Sequence, residues 1–322
     1  MNRSVHARLA QLTLGGDFLV ISMTCAAALL ACGGSSDEPG DGAGGSDAAD
    51  AVDSGDGVSG TEIELLGIPA GRFTMGSPDD EPGRDDEEVQ HEVTLTRTFL
   101  LSRTEVTQGQ WESVMNTNPS LLDTPSLPMG DVNWWDTLEY TNRLSVSEGL
   151  VACYTLTGCT GTPGWNFSCT GVSVNAADGN PLLCAGYRLP TESEWEYAYR
   201  AGTTTAFYNG GITDTDCDDP NLDQIGWYCG NGSRREVVGL SLPNAWGLYD
   251  MAGNVFEWCW DWYGTYPGAV SDPLGPTTGS FRVFRGGSFF IDASFARAAF
   301  RGFIAPSVRG SSFGFRLART AP

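Results

Sequence analysis

Seven cysteines beyond residue 32, at Cys153, Cys159, Cys169, Cys184, Cys217, Cys229 and Cys259, are the largest reactive set in the 322-residue sequence. Such thiols can bridge, exchange, or hold soft metals. Four of them crowd between Cys153 and Cys184, in a stretch of Gly, Thr, Ser and Asn that reads as a loop stapled by two bridges of open pairing. Cys217 and Cys229 bracket a second loop and are expected to form a third bridge. The irregular spacings favour disulfides over zinc. Cys259, between Trp258 and Trp260, is expected to be a buried, inert thiol. Imidazole is scarce, with two histidines in all. His6 falls in an N-terminal leader, so a multi-histidine zinc or iron site cannot be built, and a Ser-His-Asp triad would have to use His91. That residue, in Gln90-His91-Glu92-Val93, reads as packed or hydrogen-bonded. All 18 basic residues are arginine, which excludes lysine Schiff bases, Walker-type phosphate loops and pyridoxal enzymes. Ser288, in Gly286-Gly287-Ser288, is the one catalytic candidate. With no base in reach its expected role is a backbone hydrogen bond in the turn.

The net charge of -22 excludes nucleic acid as a partner, because no phosphate-neutralising patch is available. Residues 1–31 read as a secretion signal, with Arg3 and Arg8 ahead of an apolar stretch from Phe18 to Leu30. Leu29-Leu30-Ala31-Cys32 resembles the lipobox of bacterial lipoproteins, which makes Cys32 the expected acylation site and membrane anchor. Gly33 in place of aspartate points to the outer membrane, with the chain facing the periplasm or the cell surface. Residues 33–60 carry seven acidic and no basic side chains and almost nothing to bury, so a disordered, charge-extended tether is expected.

The chemistry-bearing residues must be positioned by the rest, 61–322, which reads as one irregular α+β domain. Three helices are signalled: a capping box at Thr107 ahead of Trp111, Val114 and Met115; a cap at Asn133 ahead of Leu138, Thr141 and Leu144; and a capping box at Thr191 ahead of Trp195, Ala198 and Tyr199, closed by Gly202. Strands are expected at Val93 to Leu101 and Phe281 to Phe284. With 42 glycines and 17 prolines, regular structure should be sparse, and aromatic packing, buried arginine pairs and disulfides should hold the domain.

Six blocks in register carry a family resemblance: Ile68-Pro69-Ala70-Gly71-Arg72-Phe73-Thr74-Met75-Gly76-Ser77, Glu105-Val106-Thr107, Gly186-Tyr187-Arg188-Leu189-Pro190-Thr191-Glu192-Ser193-Glu194-Trp195-Glu196-Tyr197-Ala198, Pro243-Asn244-Ala245-Trp246-Gly247-Leu248-Tyr249-Asp250-Met251-Ala252-Gly253-Asn254-Val255-Phe256-Glu257-Trp258, Arg285-Gly286-Gly287-Ser288-Phe289 and Gly314-Phe315-Arg316. Together they resemble the formylglycine-generating enzymes, or sulfatase-modifying factors, over residues 64 to 320. The resemblance implies a C-type-lectin-like fold with little regular structure.

It also implies a structural calcium, held by the carboxylates of Asp250 and Glu257 and the backbone carbonyls of Gly253 and Val255, a hard-oxygen set suited to that cation. Asn221 and Leu222 match half of a second calcium site whose partner segment is not evident. The family's oxidase is a copper-thiolate oxygenase, and its two cysteines fall three and eight residues after the serine of Gly-Gly-Ser. Here those positions are Ile291 and Ala296, which give copper no ligand. Phe256, Asp292 and Arg297 also depart from the family's groove. Arg285, Arg301 and Arg316 are expected to pair with Glu194, Glu196 or Glu257. The expectation is therefore a calcium-stabilised binding or structural domain in the cell envelope, with a peptide, glycan or envelope protein as partner. The alternative is an oxidoreductase of the same family, acting on protein cysteine or a small exported metabolite through a metal site the sequence does not reveal.

Overall fold

The computed structural model describes residues 62–120, 122 and 124–321. The leader, Cys32 and the tether 33–60 lie outside the described residues. In chain order the strands are β1 (Leu65–Ile68), β2 (Gly71–Met75), β3 (His91–Leu95), β4 (Phe99–Ser102), β5 (Tyr154–Thr157), β6 (Gly171–Val174), β7 (Tyr187–Arg188) and β8 (Gly226–Trp227). They continue as β9 (Ala252–Gly253), β10 (Phe256–Trp262), β11 (Val270–Ser271), β12 (Arg282–Arg285), β13 (Gly302–Ile304), β14 (Phe313–Gly314) and β15 (Ala318–Thr320). Besides helices α1 (Gln108–Met115), α2 (Trp134–Ser147) and α3 (Glu192–Arg200) there are a one-turn α-helix, α4 (Leu222–Ile225), and three short 3-10 turns among the described residues. The architecture is α+β, with few helices and short strands.

Each of the three longer helices starts where its local chemistry dictates. Thr107, Asn133 and Thr191 sit in extended backbone and accept from the N3 amide, while Gln110, Asp136 and Glu194 return a bond to the cap amide. These reciprocal caps satisfy two orphan donors at each N-terminus. The end of α3 is closed as expected by Gly202 at C' with φ 94°, and the C-cap residue Ala201 is also left-handed at φ 43°. The stretch from Val93 to Leu101 is two strands rather than one. Val93 and Leu95 are buried in β3, and Phe99 and Leu101 in β4, but Asp272 accepts from the amide and hydroxyl of Thr96, turning the chain into a different sheet. In the second expected strand, β12 begins at Arg282, with Phe281 exposed.

One four-stranded sheet runs β1-β4-β15-β7 and another β13-β12-β10-β14, with a three-stranded sheet β11-β3-β2. Two apolar clusters fill the space between them. One gathers Trp195, Tyr199, Leu222, Met251 and Val283. The other gathers Trp111, Trp134, Leu138, Trp258 and Phe315. Within the second, Trp111 stacks on Tyr140 at 5.4 Å between centroids. The Arg282 guanidinium lies between the rings of Trp134 at 3.6 Å and Trp262 at 3.5 Å, a cation–π arrangement that partly replaces its lost hydration. Burial of that charge pulls Arg282 down to about 9.

The seven cysteines resolve into the bridges Cys153–Cys184, Cys159–Cys169 and Cys217–Cys229. Cys259 is free and buried. Burial first, and then the charges of Asp261 and Glu192, push its thiol well above the usual range, so it is held as an inert thiol. Among the described residues no helix is long and apolar enough to cross a membrane.

Candidate functional site

The segment Tyr249–Glu257 is bent by three residues in left-handed backbone, Asp250 at φ 55°, Gly253 at φ 84° and Asn254 at φ 58°. Gly253 is required there. A Cβ at that position would lie 2.1 Å from the Trp227 carbonyl oxygen, because β9 pairs in parallel with β8. The turn gathers three buried carboxylates. Glu257 accepts from Arg316 through both oxygens, at 2.6 and 2.7 Å, and its Oε2 also accepts from Trp195 Nε1 at 2.7 Å. Glu105 accepts from the Val255 amide at 3.0 Å and from Asn254 Nδ2 at 2.8 Å. Asp250 Oδ2 accepts from the Gly239 amide at 2.7 Å, and its Oδ1 is buried with no partner.

Three carboxylates thus lie near one guanidinium, which hydrogen-bonds Glu257 alone, and negative charge is left in excess. Burial, with the charge of Glu257 added, pushes Asp250 up to about 6, against the pull of the Gly239 amide and Arg316. Burial and the charges of Asp250 and Glu257 raise Glu105 as well. The residues fit a hard dication on two counts. Asp250 Oδ1 is an orphaned oxygen in a dry place, and Glu257 Oε1, accepting a single bond, keeps a spare lone pair. The Arg316 pairing is the ion pair expected for Glu257. At Asn221 and Leu222 both carbonyls already accept bonds within the local turn, from Asn209 Nδ2 and Gln224 N at the first and from Gly226 N at the second.

The turn Gly286–Ala296 forms the other half of the site. Ser288 is fully buried, and its hydroxyl has no hydrogen-bond partner among the described residues. It does not make the expected backbone bond, because the turn is closed by the Ile291 amide donating to the Ser288 carbonyl at 3.2 Å. His91 is engaged elsewhere: Nδ1 lies 3.0 Å from the Val89 carbonyl, and the ring packs on Tyr266 at 4.3 Å. Ala296 is buried against Gly287, where a Cβ would stand 2.9 Å from the alanine methyl. The Ala296 carbonyl accepts from Tyr199 Oη at 2.8 Å. Phe256 is buried among Phe284 and Phe313.

Next to Ala296, Arg297 uses every donor it has. Nε donates to the Ser294 carbonyl, Nη1 to Glu81 and Glu88, and Nη2 to Glu88 and the Gly83 carbonyl, at 2.7 to 2.9 Å. The acidic loop 79–88 is thereby folded over the turn as a clamp. The remaining arginines follow the expectation with one exchange of partners. Arg285 pairs with Glu196, Arg301 with Glu192, and Arg316 with Glu257. Glu194 pairs instead with Arg188, whose strand runs just before the capping box and presents the guanidinium to the same carboxylate that closes it. Sequence reasoning missed Glu105, Glu81 and Glu88. The placement of Glu105 in the short Glu-Val-Thr block was the signal available for it.

A small α+β scaffold with a bent carboxylate turn beside a Gly-Gly-Ser turn defines the class, and comparison with known proteins fixes it. Residues 56–321 match the sulfatase-modifying factor enzyme 1-like domain, and the chain belongs to that family. It is 31% identical over 251 residues to the chaperone protein LppX of Paenibacillus barcinonensis, covering 71% of this chain and 82% of that one. The formylglycine-generating enzyme of Thermomonospora curvata is 29% identical over 289 residues, covering 79% and 92%. Among solved structures, Treponema denticola variable protein 1 superposes with a TM-score of 0.67 at 31% identity, covering 80% of this chain and 95% of that chain.

Proposed function

We propose that the chain is an exported lipoprotein, anchored through Cys32 and spaced from the membrane by residues 33–60, whose folded part binds a protein partner and has no copper oxidase activity. The observation that carries this reading is that Ile291 and Ala296, neither of which can ligate copper, stand at the two positions where the family resemblance places its copper cysteines. The relative named as a chaperone, LppX, supports a protein as the partner. Calcium, when bound, supplies the positive charge that the turn lacks. Asp250 and Glu257 would hold it by carboxylate oxygen and Gly253 and Val255 by carbonyl oxygen. An oxidoreductase reading finds its support in the relative named formylglycine-generating enzyme.

Elemental analysis of the unreduced, purified chain after exposure to calcium and copper separates the two. The expected result is bound calcium, a higher melting temperature with calcium than with chelator, loss of that difference in Asp250→Asn, and no copper. Stoichiometric copper would contradict the reading.

A further inference from the structure

The loop closed by Cys217–Cys229 is stitched to the segment that stands where the family's copper ligands fall. The Cys229 amide donates to the Ile291 carbonyl at 3.2 Å, the Ala293 amide to Asp216 at 2.8 Å and the Ser294 amide to Thr215 at 3.2 Å. These bonds bring Asp292 Oδ1 to 3.9 Å from Cys217 Sγ and 3.8 Å from Cys229 Sγ. Among the described residues this is the one set of three histidine, cysteine or acidic side chains whose ligand atoms lie within 4.8 Å of one another. Cys217 is exposed and Cys229 and Asp292 are partly so, whereas Cys153 and Cys184 are buried.

Tetrahedral zinc with bonds of about 2.3 Å to sulfur and about 2.0 Å to carboxylate oxygen spaces sulfur from oxygen by roughly 3.5 Å and sulfur from sulfur by roughly 3.8 Å. Asp292 already stands near the first spacing. The two sulfurs have to separate, which opening their bond allows.

We propose that Cys217, Cys229 and Asp292 form a redox-gated zinc site, closed as a disulfide and able to take the ion when reduced. The reductant is a dithiol. The Cys217–Cys229 bond breaks, the dithiol's own sulfurs join, and its two protons pass to the protein thiols. Zinc then displaces those two protons to solvent and binds two thiolates and one carboxylate, with the fourth position left to water. A disulfide-exchange catalyst is the competing use of an accessible bridge, and the electrostatics disfavour it. Reactive thiolates sit in electropositive places, whereas here a carboxylate faces both sulfurs in a chain of net charge -22. A dication turns that same carboxylate from a repulsive neighbour into a ligand. The residues are separate from the Asp250 to Glu257 turn, so the proposal stands independently of the function proposed above.

The test uses the full chain, treated with dithiothreitol, freed of it by anoxic gel filtration, and mixed with zinc sulfate. Retained zinc is read by its release to a chromogenic chelator. The expected result is one zinc per reduced chain, none in the unreduced chain, and none in reduced Cys217→Ser/Cys229→Ser with an unchanged circular dichroism spectrum. Asp292→Asn keeps the bridge and should weaken zinc binding by about tenfold or more. No zinc on the reduced chain, equal retention by the double serine variant, or unaltered affinity in Asp292→Asn would overturn the proposal.

Discussion

Replacing Glu257 by alanine should lower the free energy of unfolding by about 3–5 kcal/mol, the cost of leaving a buried guanidinium without its partner. Both Glu257 and Arg316 are fully buried, and Arg316 ties β10 to the carbonyls of Ser102 and Tyr249 through its remaining donors. The substitution also removes the acceptor of Trp195 Nε1, so two buried donors lose their bonds together. Glu257→Gln divides the effect. Its amide oxygen can still accept from Trp195, but Arg316 loses the one carboxylate that accepts its hydrogen bonds, so most of the loss should persist. Urea unfolding of the three proteins at pH 7 in chelator reads this directly, and a Glu257→Ala loss under about 1 kcal/mol, the scale of a surface pair, would remove the ion pair from its place at the centre of the fold.

The second large effect belongs to the bridge Cys153–Cys184. It closes 31 residues, and the chain-entropy relation assigns about 3–4 kcal/mol to a loop of that length. Cys159–Cys169, spanning 10 residues, should contribute nearer 2.5 kcal/mol on the same relation. The buried pair also fixes local structure, because the Cys153 carbonyl accepts from the Asn175 amide at 2.7 Å and so aligns the β5–β6 hairpin. Cys153→Ser/Cys184→Ser should therefore unfold at lower urea than Cys159→Ser/Cys169→Ser, with the reverse order excluding loop closure as the source of the stability.

The parts of this molecule that were legible in its sequence are those whose cause is local. Thr107, Asn133 and Thr191 announce helices because a cap and its returning side chain lie three residues apart. Cys217 and Cys229 announce a bridge because they bracket one short loop. The family resemblance ran ahead of these local signals, since six blocks in fixed order specify a fold that no single block implies. What failed to show was set by distant partners. Asp272 breaks the run from Val93 to Leu101 from 176 residues away. Glu194 was free in sequence terms to pair with any of several arginines, and the β7 register decided for Arg188. The clamp of Glu81 and Glu88 on Arg297 joins residues more than 200 positions apart, so the acidic run reads in isolation as a solvated face. Ser288 was expected to bond within its turn, and the backbone closes that turn without it.

The central claim is that the family's scaffold persists here without its oxidase. Its most direct test is to incubate the purified, unreduced chain with copper, dioxygen and a synthetic Cys-x-Pro-x-Arg peptide, and to follow the cysteine by mass spectrometry. With Ile291 and Ala296 at the copper positions, the peptide should be recovered with its cysteine unconverted to formylglycine. Catalytic conversion of that cysteine would contradict the account and require a metal site built from other residues of this chain.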